Sequence, residues 1–147
     1  MKVTPSWKTR LFDQYPKATP QNQARRNNPY QDRLVKRFLP KNKHCVVVDL
    51  GCGQGDLIRC IKSHGYTMVR GVEVSNAQID QCKELGVSDV EKADLRQWVE
   101  EQQNASIDVL ITFDVLEHFE VEACFAIADQ AHRILKPRGI WIIHVPN

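Results

Sequence analysis

The sequence has no long apolar run: its most hydrophobic stretches, residues 45–48 and 140–143, fall far short of the roughly 20 residues that span a bilayer. No membrane span is expected. The basic N-terminus has neither the apolar core nor the small-residue cleavage site of a secretory leader, so a cytoplasmic location is expected. The five cysteines, at 45, 52, 60, 82 and 124, form no CxxC pair, which argues against a disulfide framework and against a zinc site. His44, Cys45 and His64 lack partners at metal-ligand spacing, so no metal is expected. There is no internal repeat, and no low-complexity tract beyond a polar N-terminal arm.

What is present is one globular domain's worth of chain, with 147 residues, 42% apolar and 26% charged. The net charge of +2 hides a split. Residues 1–43 carry 11 basic side chains against Asp13 and Asp32, a balance of +9, whereas residues 44–147 carry 9 against 16 and balance at −7. A basic arm precedes an acidic body. Residues 1–28, with Pro5, Pro16 and Pro20 and no apolar period, suit an extended arm that docks Trp7, Leu11, Phe12 and Tyr15 on the body. Residues 29–43 form a lead-in helix and linker: Asn28-Pro29 is a cap and first-turn signal, and Leu34, Val35, Phe38 and Leu39 recur at helical spacing up to Pro40.

From residue 44 to 147 strands and helices alternate. The strand candidates are 45–50, 67–74, 87–93, 107–113 and 140–145, the last entered through a turn at Pro137-Arg138-Gly139. Between them, Leu57, Ile58 and Ile61 mark a helix that Gly65 stops. Ser75 with Gln78 makes a capping box for a helix carrying Ile79, Cys82 and Leu85 inward; Leu95, Trp98 and Val99 mark a short one. The longest helical pattern, 119–136, places Val121, Phe125, Ala128, Ala131 and Leu135 on one stripe. Strands apolar on both faces predict an α/β fold, a Rossmann-like doubly wound parallel sheet with helices on each side.

The chemistry concentrates after the first strand, in Asp49-Leu50-Gly51-Cys52-Gly53-Gln54-Gly55-Asp56. Alternate glycines at the carboxyl end of a buried strand permit tight turns and close approach of a ligand; a glycine turn without a ligand is the bland alternative. A dinucleotide fingerprint would need Gly or Ala at 56 or 58, where this chain has Asp56 and Ile58. Asp49 and Asp56 would repel a pyrophosphate and suit a cationic amine instead. Glu73, closing the second strand, can accept hydrogen bonds from a ribose diol, each charge-assisted contact being worth about 1.5–3 kcal/mol. A nucleoside bearing a positive charge satisfies both features.

The runs V-V-D-L-G-C-G-Q-G-D, G-V-E-V-S, A-D-L, F-D-V-L-E-H-F and R-I-L-K-P-R-G-I-W-I-I-H-V-P-N resemble, in order across 44–147, the class I S-adenosylmethionine-dependent methyltransferases, most of all bacterial small-molecule types. The resemblance implies S-adenosylmethionine as cofactor and S-adenosylhomocysteine as product. It places Asp49, Gly51, Cys52, Gly53 and Gly55 along the methionine and ribose side, Glu73 on the diol, and Val74 beside the adenine. Asp94 would bond the adenine amino group, or simply cap the helix of Leu95, whose backbone would add a donor. Phe113, Asp114 and Leu116 would close over the methyl donor, or serve as core. His118 would be base or acceptor-orienting residue, with Glu117 or Asp114 as alternatives and His144 a weaker candidate; packing in the loop is the bland reading of His118, and a satisfied sheet histidine that of His144. Cys52 would be a loop filler rather than a nucleophile.

The family's sheet has seven strands and this sequence stops after the fifth, so a truncated chain or an edge completed by a partner is expected. A small-molecule acceptor, sugar- or lipid-linked, is expected; an inactive cofactor-binding module in a complex, an RNA methyltransferase and a nucleotide-binding oxidoreductase are the other readings. The basic arm admits nucleic acid, although the acidic body does not favour it. Oligomeric state is open.

Overall fold

The computed structural model describes residues 28–146, so the arm and its aromatic residues lie outside the described residues. Asn28 accepts the Tyr30 N–H at 3.0 Å and Pro29 starts α1 (Pro29–Phe38), which buries Leu34 and Val35. There follow β1 (Val47–Leu50), α2 (Asp56–Ser63), β2 (Val69–Glu73), α3 (Asn76–Glu84), β3 (Val90–Lys92), α4 (Leu95–Glu101), β4 (Ile107–Phe113), a 3₁₀ turn (Leu116–His118), α5 (Val121–Ile134) and β5 (Leu135–His144). All pairings are parallel, in the order β3-β2-β1-β4-β5. The sheet therefore starts at its centre, grows one way through β2 and β3, then reverses through β4 and β5. That reversal opens a crevice at the carboxyl ends of β1 and β4, where open α/β sheets bind ligands.

Alternation along the strands splits the core between the two faces. Val47, Val69, Val109 and Ile111 pack with Leu34 and Val35 of α1, Ile58 and Ile61 of α2, and Cys82. On the other face Val48, Leu50, Val72 and Leu110 pack with Leu95, Trp98 and Val99 of α4 and with Ile127, Ala131 and Ile134 of α5. Trp98 is fully buried, and its indole N–H donates to Glu91 at 2.8 Å, so its large apolar body carries no unpaired donor. Arg133 of α5 donates to the Val99 and Gln102 carbonyls at 2.9 and 2.7 Å, satisfying the end of α4.

Four expectations need correction. The Pro137-Arg138-Gly139 turn lies inside β5: Leu135 pairs with Ile107 and Ile140 with Val109, so the intervening residues bulge out of the ladder through Arg138 at φ +69°. Helix α5 turns a different stripe inward, burying Ile127, Ala131 and Ile134 against the sheet and α4 and leaving Val121 and Phe125 exposed. Phe38 is also exposed and lies against its neighbour Arg37. Of the inward set on α3, Cys82 is fully buried, while Ile79 and Leu85 are only half-buried.

Candidate active site

At the end of β1 the chain turns sharply, with Gly51 at φ +74° and Gly53 at φ +55°. The turn is tied to β2: the Gly51 and Cys52 N–H groups both donate to the Val72 carbonyl, at 2.8 and 3.1 Å. Gly51 admits no side chain, since a Cβ there would sit 2.5 Å from Cγ2 of Val115. Cys52 turns its sulfur beneath the loop, where it fills the space that a Cβ on Gly71 would need. Its thiol stays above the ordinary range, held there by its hydrogen bond to Cys82, by burial and by the Asp49 charge.

Two adjoining pockets flank this loop and share Gly51, Gly53 and Gln78. The larger, about 590 Å³, runs under Glu73, Val74, Asp94 and Leu95 to Asp114 and His118. The smaller, about 270 Å³, is lined by Asp49, Cys52, Gln54, Asp56, Phe113 and Gln31 of α1.

Glu73 belongs to both the loop and the pocket. Its Oε2 accepts the Gly53 N–H at 2.9 Å, and its Oε1 accepts those of Val74 and Ser75, each at 2.8 Å. Three of about four acceptor positions on the carboxylate are thereby taken. It is a strap for the glycine loop as well as a ligand candidate, a role its place at a strand end did not reveal. Asp49 is the opposite case. It is 2% exposed, and its Oδ1 has no hydrogen-bond partner among the described residues. Burial, reinforced by the Glu73 charge, pushes its carboxyl up to about 7.

Asp94 caps α4 through the Arg96 N–H at 2.9 Å and pairs with the Arg96 guanidinium at 2.8 Å, which holds its carboxyl below the usual range. The capping reading is thus realised, while the carboxylate still lines the larger pocket beside Leu95, whose N–H is among those a helix start leaves without an intrahelical acceptor.

Three expected residues, Gly55, Leu116 and His144, line neither pocket. Gly55 starts α2 in the left-handed region and faces Val87 and Cys82, so its service is to packing. Leu116 packs on the α4–α5 core; Val115 takes the place over Gly51, because Asp114 at φ +55° rotates the chain before the 3₁₀ turn. His118 lines the larger pocket, with its Nε2 3.9 Å from Glu117.

Sequence reasoning missed Gln78, visible only as half of a capping box, and Gln31, visible only as a helix residue. His144, at the end of β5, is held in place: its Nδ1 lies 2.6 Å from Oδ1 of Asp114, and its ring stacks on Phe113 at 4.2 Å and 11°.

A protein-family model described as "Methyltransferase domain" matches residues 22–147. A probable S-adenosylmethionine-dependent methyltransferase of Mycolicibacterium smegmatis is 27% identical over 127 residues, covering 84% of this chain and 45% of that protein. The malonyl-[acyl-carrier protein] O-methyltransferase of Brevibacillus brevis is 30% identical over 118 residues, covering 71% and 39%. The crystal structure of a SAM-dependent methyltransferase from Archaeoglobus fulgidus superposes with a TM-score of 0.70 at 26% identity, covering 81% of this chain and 52% of that one. The chain spans less than half the length of these two curated relatives.

Proposed function

The chain belongs to the class I S-adenosylmethionine-dependent methyltransferases, and from that premise we propose that it holds S-adenosylmethionine across the two adjoining pockets and directs its methyl group to a small-molecule acceptor. The observation that carries this reading is the buried, unpartnered Asp49 carboxylate. An isolated buried anion is costly, and a ligand ammonium group in the smaller pocket, which Asp49 lines, offsets that cost by pairing with its carboxylate. A neutral or phosphate-bearing ligand does not.

The other residues fit the same group. Glu73 keeps about one acceptor position for a ribose hydroxyl while Gly53 is bound, and a second only if the Gly53 N–H lets go. Val72, Val74 and Ala93 offer apolar walls for a base, with Asp94 and the Leu95 N–H at its rim. When bound, the cofactor supplies an electrophilic methyl on a sulfonium, so no covalent link to the protein is needed. The protein's part is orientation: Gly51, Val115 and Asp114 shape the junction of the pockets, and holding reactants in line there is worth about 7–11 kcal/mol. His118, on the wall of the larger pocket, orients the acceptor.

The Brevibacillus relative is named for a malonyl group on a carrier protein, which favours a small carbon-skeleton acceptor over RNA here. Calorimetry with S-adenosylhomocysteine and, separately, NAD tests the cofactor assignment; binding of NAD alone would overturn it. Transfer from a labelled methyl donor across a metabolite panel tests the acceptor, and transfer to RNA alone would overturn the small-molecule reading.

A further inference from the structure

Ser75 and Gln78 have the spacing of a reciprocal capping box, yet only half of the box forms. The Gln78 backbone N–H donates to the Ser75 hydroxyl at 3.3 Å, but the Ser75 N–H, which the Gln78 side chain would take in a complete box, goes to Glu73 Oε1 at 2.8 Å. Glu73 displaces Gln78 from the cap. The released amide is half-buried, and no group among the described residues pairs with it. It lies over the glycine loop instead: its Oε1 is 3.7 Å from the position of a Cβ on Gly53, the residue whose N–H donates to Glu73 Oε2 at 2.9 Å. Two side chains thus converge on Gly53, one from the end of β2 and one from the first turn of α3. Both line the larger pocket, and Gln78 lines the smaller one too.

Glu73 cannot serve a whole ribose alone. Its carboxylate has about four acceptor positions, and the N–H groups of Gly53, Val74 and Ser75 fill three of them, so about one remains for two hydroxyls. Resting on the cofactor assignment made above, we propose that Gln78 takes the second ribose hydroxyl while Glu73 takes the first. A hydroxyl and an amide each carry a donor and an acceptor, so the two pair whichever way the amide is turned. The Gly53 N–H then stays on Glu73 when the nucleoside binds, and the loop keeps its shape. Gln78 is in this way a specificity-determining residue, which favours a ribose with both hydroxyls over a deoxyribose.

The test is calorimetry on the whole chain with S-adenosylhomocysteine and its 2′-deoxy and 3′-deoxy analogues. Absence of binding by the parent compound would overturn the cofactor assignment and this proposal together; every other outcome bears on Gln78 alone. Gln78→Met, which keeps the length of the side chain and removes its hydrogen-bonding groups, should weaken the parent about 2- to 13-fold, the worth of one neutral hydrogen bond. In that variant the loss of one hydroxyl should carry no further penalty, while the loss of the other, held by Glu73, should cost as much as in the native chain. A merely structural effect would weaken all three ligands by a common factor. That result, a penalty that vanishes for both hydroxyls, or unchanged affinity for the parent would overturn the proposal. Hydrogen exchange in the native chain adds a check that needs no variant: the Gly53 amide should be at least as protected with S-adenosylhomocysteine bound as without it. Loss of that protection would mean that Glu73 releases Gly53 to take both hydroxyls, which leaves none for Gln78 and overturns the proposal.

Discussion

A carboxyl with a pKa near 7 has a consequence for binding that calorimetry can count. At pH 6.5 a group of that pKa is protonated in about three quarters of the molecules. An ammonium group placed beside it lowers the pKa by about 1–3 units, so ligand binding expels about 0.5–0.8 proton per site. Titrations of S-adenosylhomocysteine at pH 6.5 in buffers of differing ionisation enthalpy should give heats that vary linearly with that enthalpy, with this slope. Asp49→Asn, which keeps the shape but cannot titrate, should abolish the slope and weaken binding. The same residue governs the stability of the unliganded chain. Because the native state holds this proton more tightly than the unfolded one, whose value is near 3.8, the contribution of Asp49 to stability is fullest below about pH 4. It then falls as pH rises to about 7, by up to about 4 kcal/mol. Asp49→Asn should remove that loss, making the variant more stable than the native chain at neutral pH and flattening its thermal midpoint between pH 4 and 7. Buffer-independent heats, or a stability profile that Asp49→Asn leaves unchanged, would refute the assignment of a strained carboxylate awaiting a cation.

Glu73→Gln keeps the size of the side chain but sets an amide against three backbone donors; S-adenosylhomocysteine affinity should fall about 10- to 150-fold by calorimetry. Gly51→Ala forces a Cβ into Val115 at a positive φ, costing about 1–2 kcal/mol for the backbone alone; its thermal midpoint should drop, with only partial recovery in the double variant with Val115→Ala. His118→Ala should lower turnover about 100-fold while leaving cofactor affinity nearly intact, since it lines the acceptor end of the larger pocket. Unchanged turnover would take it out of the site.

Much of this was legible because it is local. Residues 107–113 place Ile107, Val109, Leu110, Ile111 and Phe113 on both faces of one short segment, which suits a buried strand, and the observed bounds agree. Asp49, the glycines and Glu73 are legible for a related reason: acids and glycines at the carboxyl ends of buried strands are expensive unless a ligand or the backbone uses them. What escaped depends on contacts between distant segments. The face that α5 buries is ambiguous in sequence, because Ala131 lies on both candidate stripes; the sheet chooses Ile127 and Ile134. The substitution of Val115 for Leu116 over the loop follows from one left-handed residue, Asp114, which composition does not announce. The Tyr30–Phe113–His144 cluster requires α1, β4 and β5 to meet, and no spacing rule connects residues that far apart.

The central claim is that the Asp49 and Glu73 carboxylates, on either side of one glycine loop, form a site for a cationic nucleoside. Its most direct measurement is a set of parallel calorimetric titrations of S-adenosylmethionine, its neutral-sulfur product and NAD into the native chain and into Asp49→Asn. One-to-one binding of the first two, clear weakening of both in the variant, and no heat from NAD is the predicted result. Binding of NAD in place of the sulfur nucleosides, or equal affinity in Asp49→Asn, would contradict it.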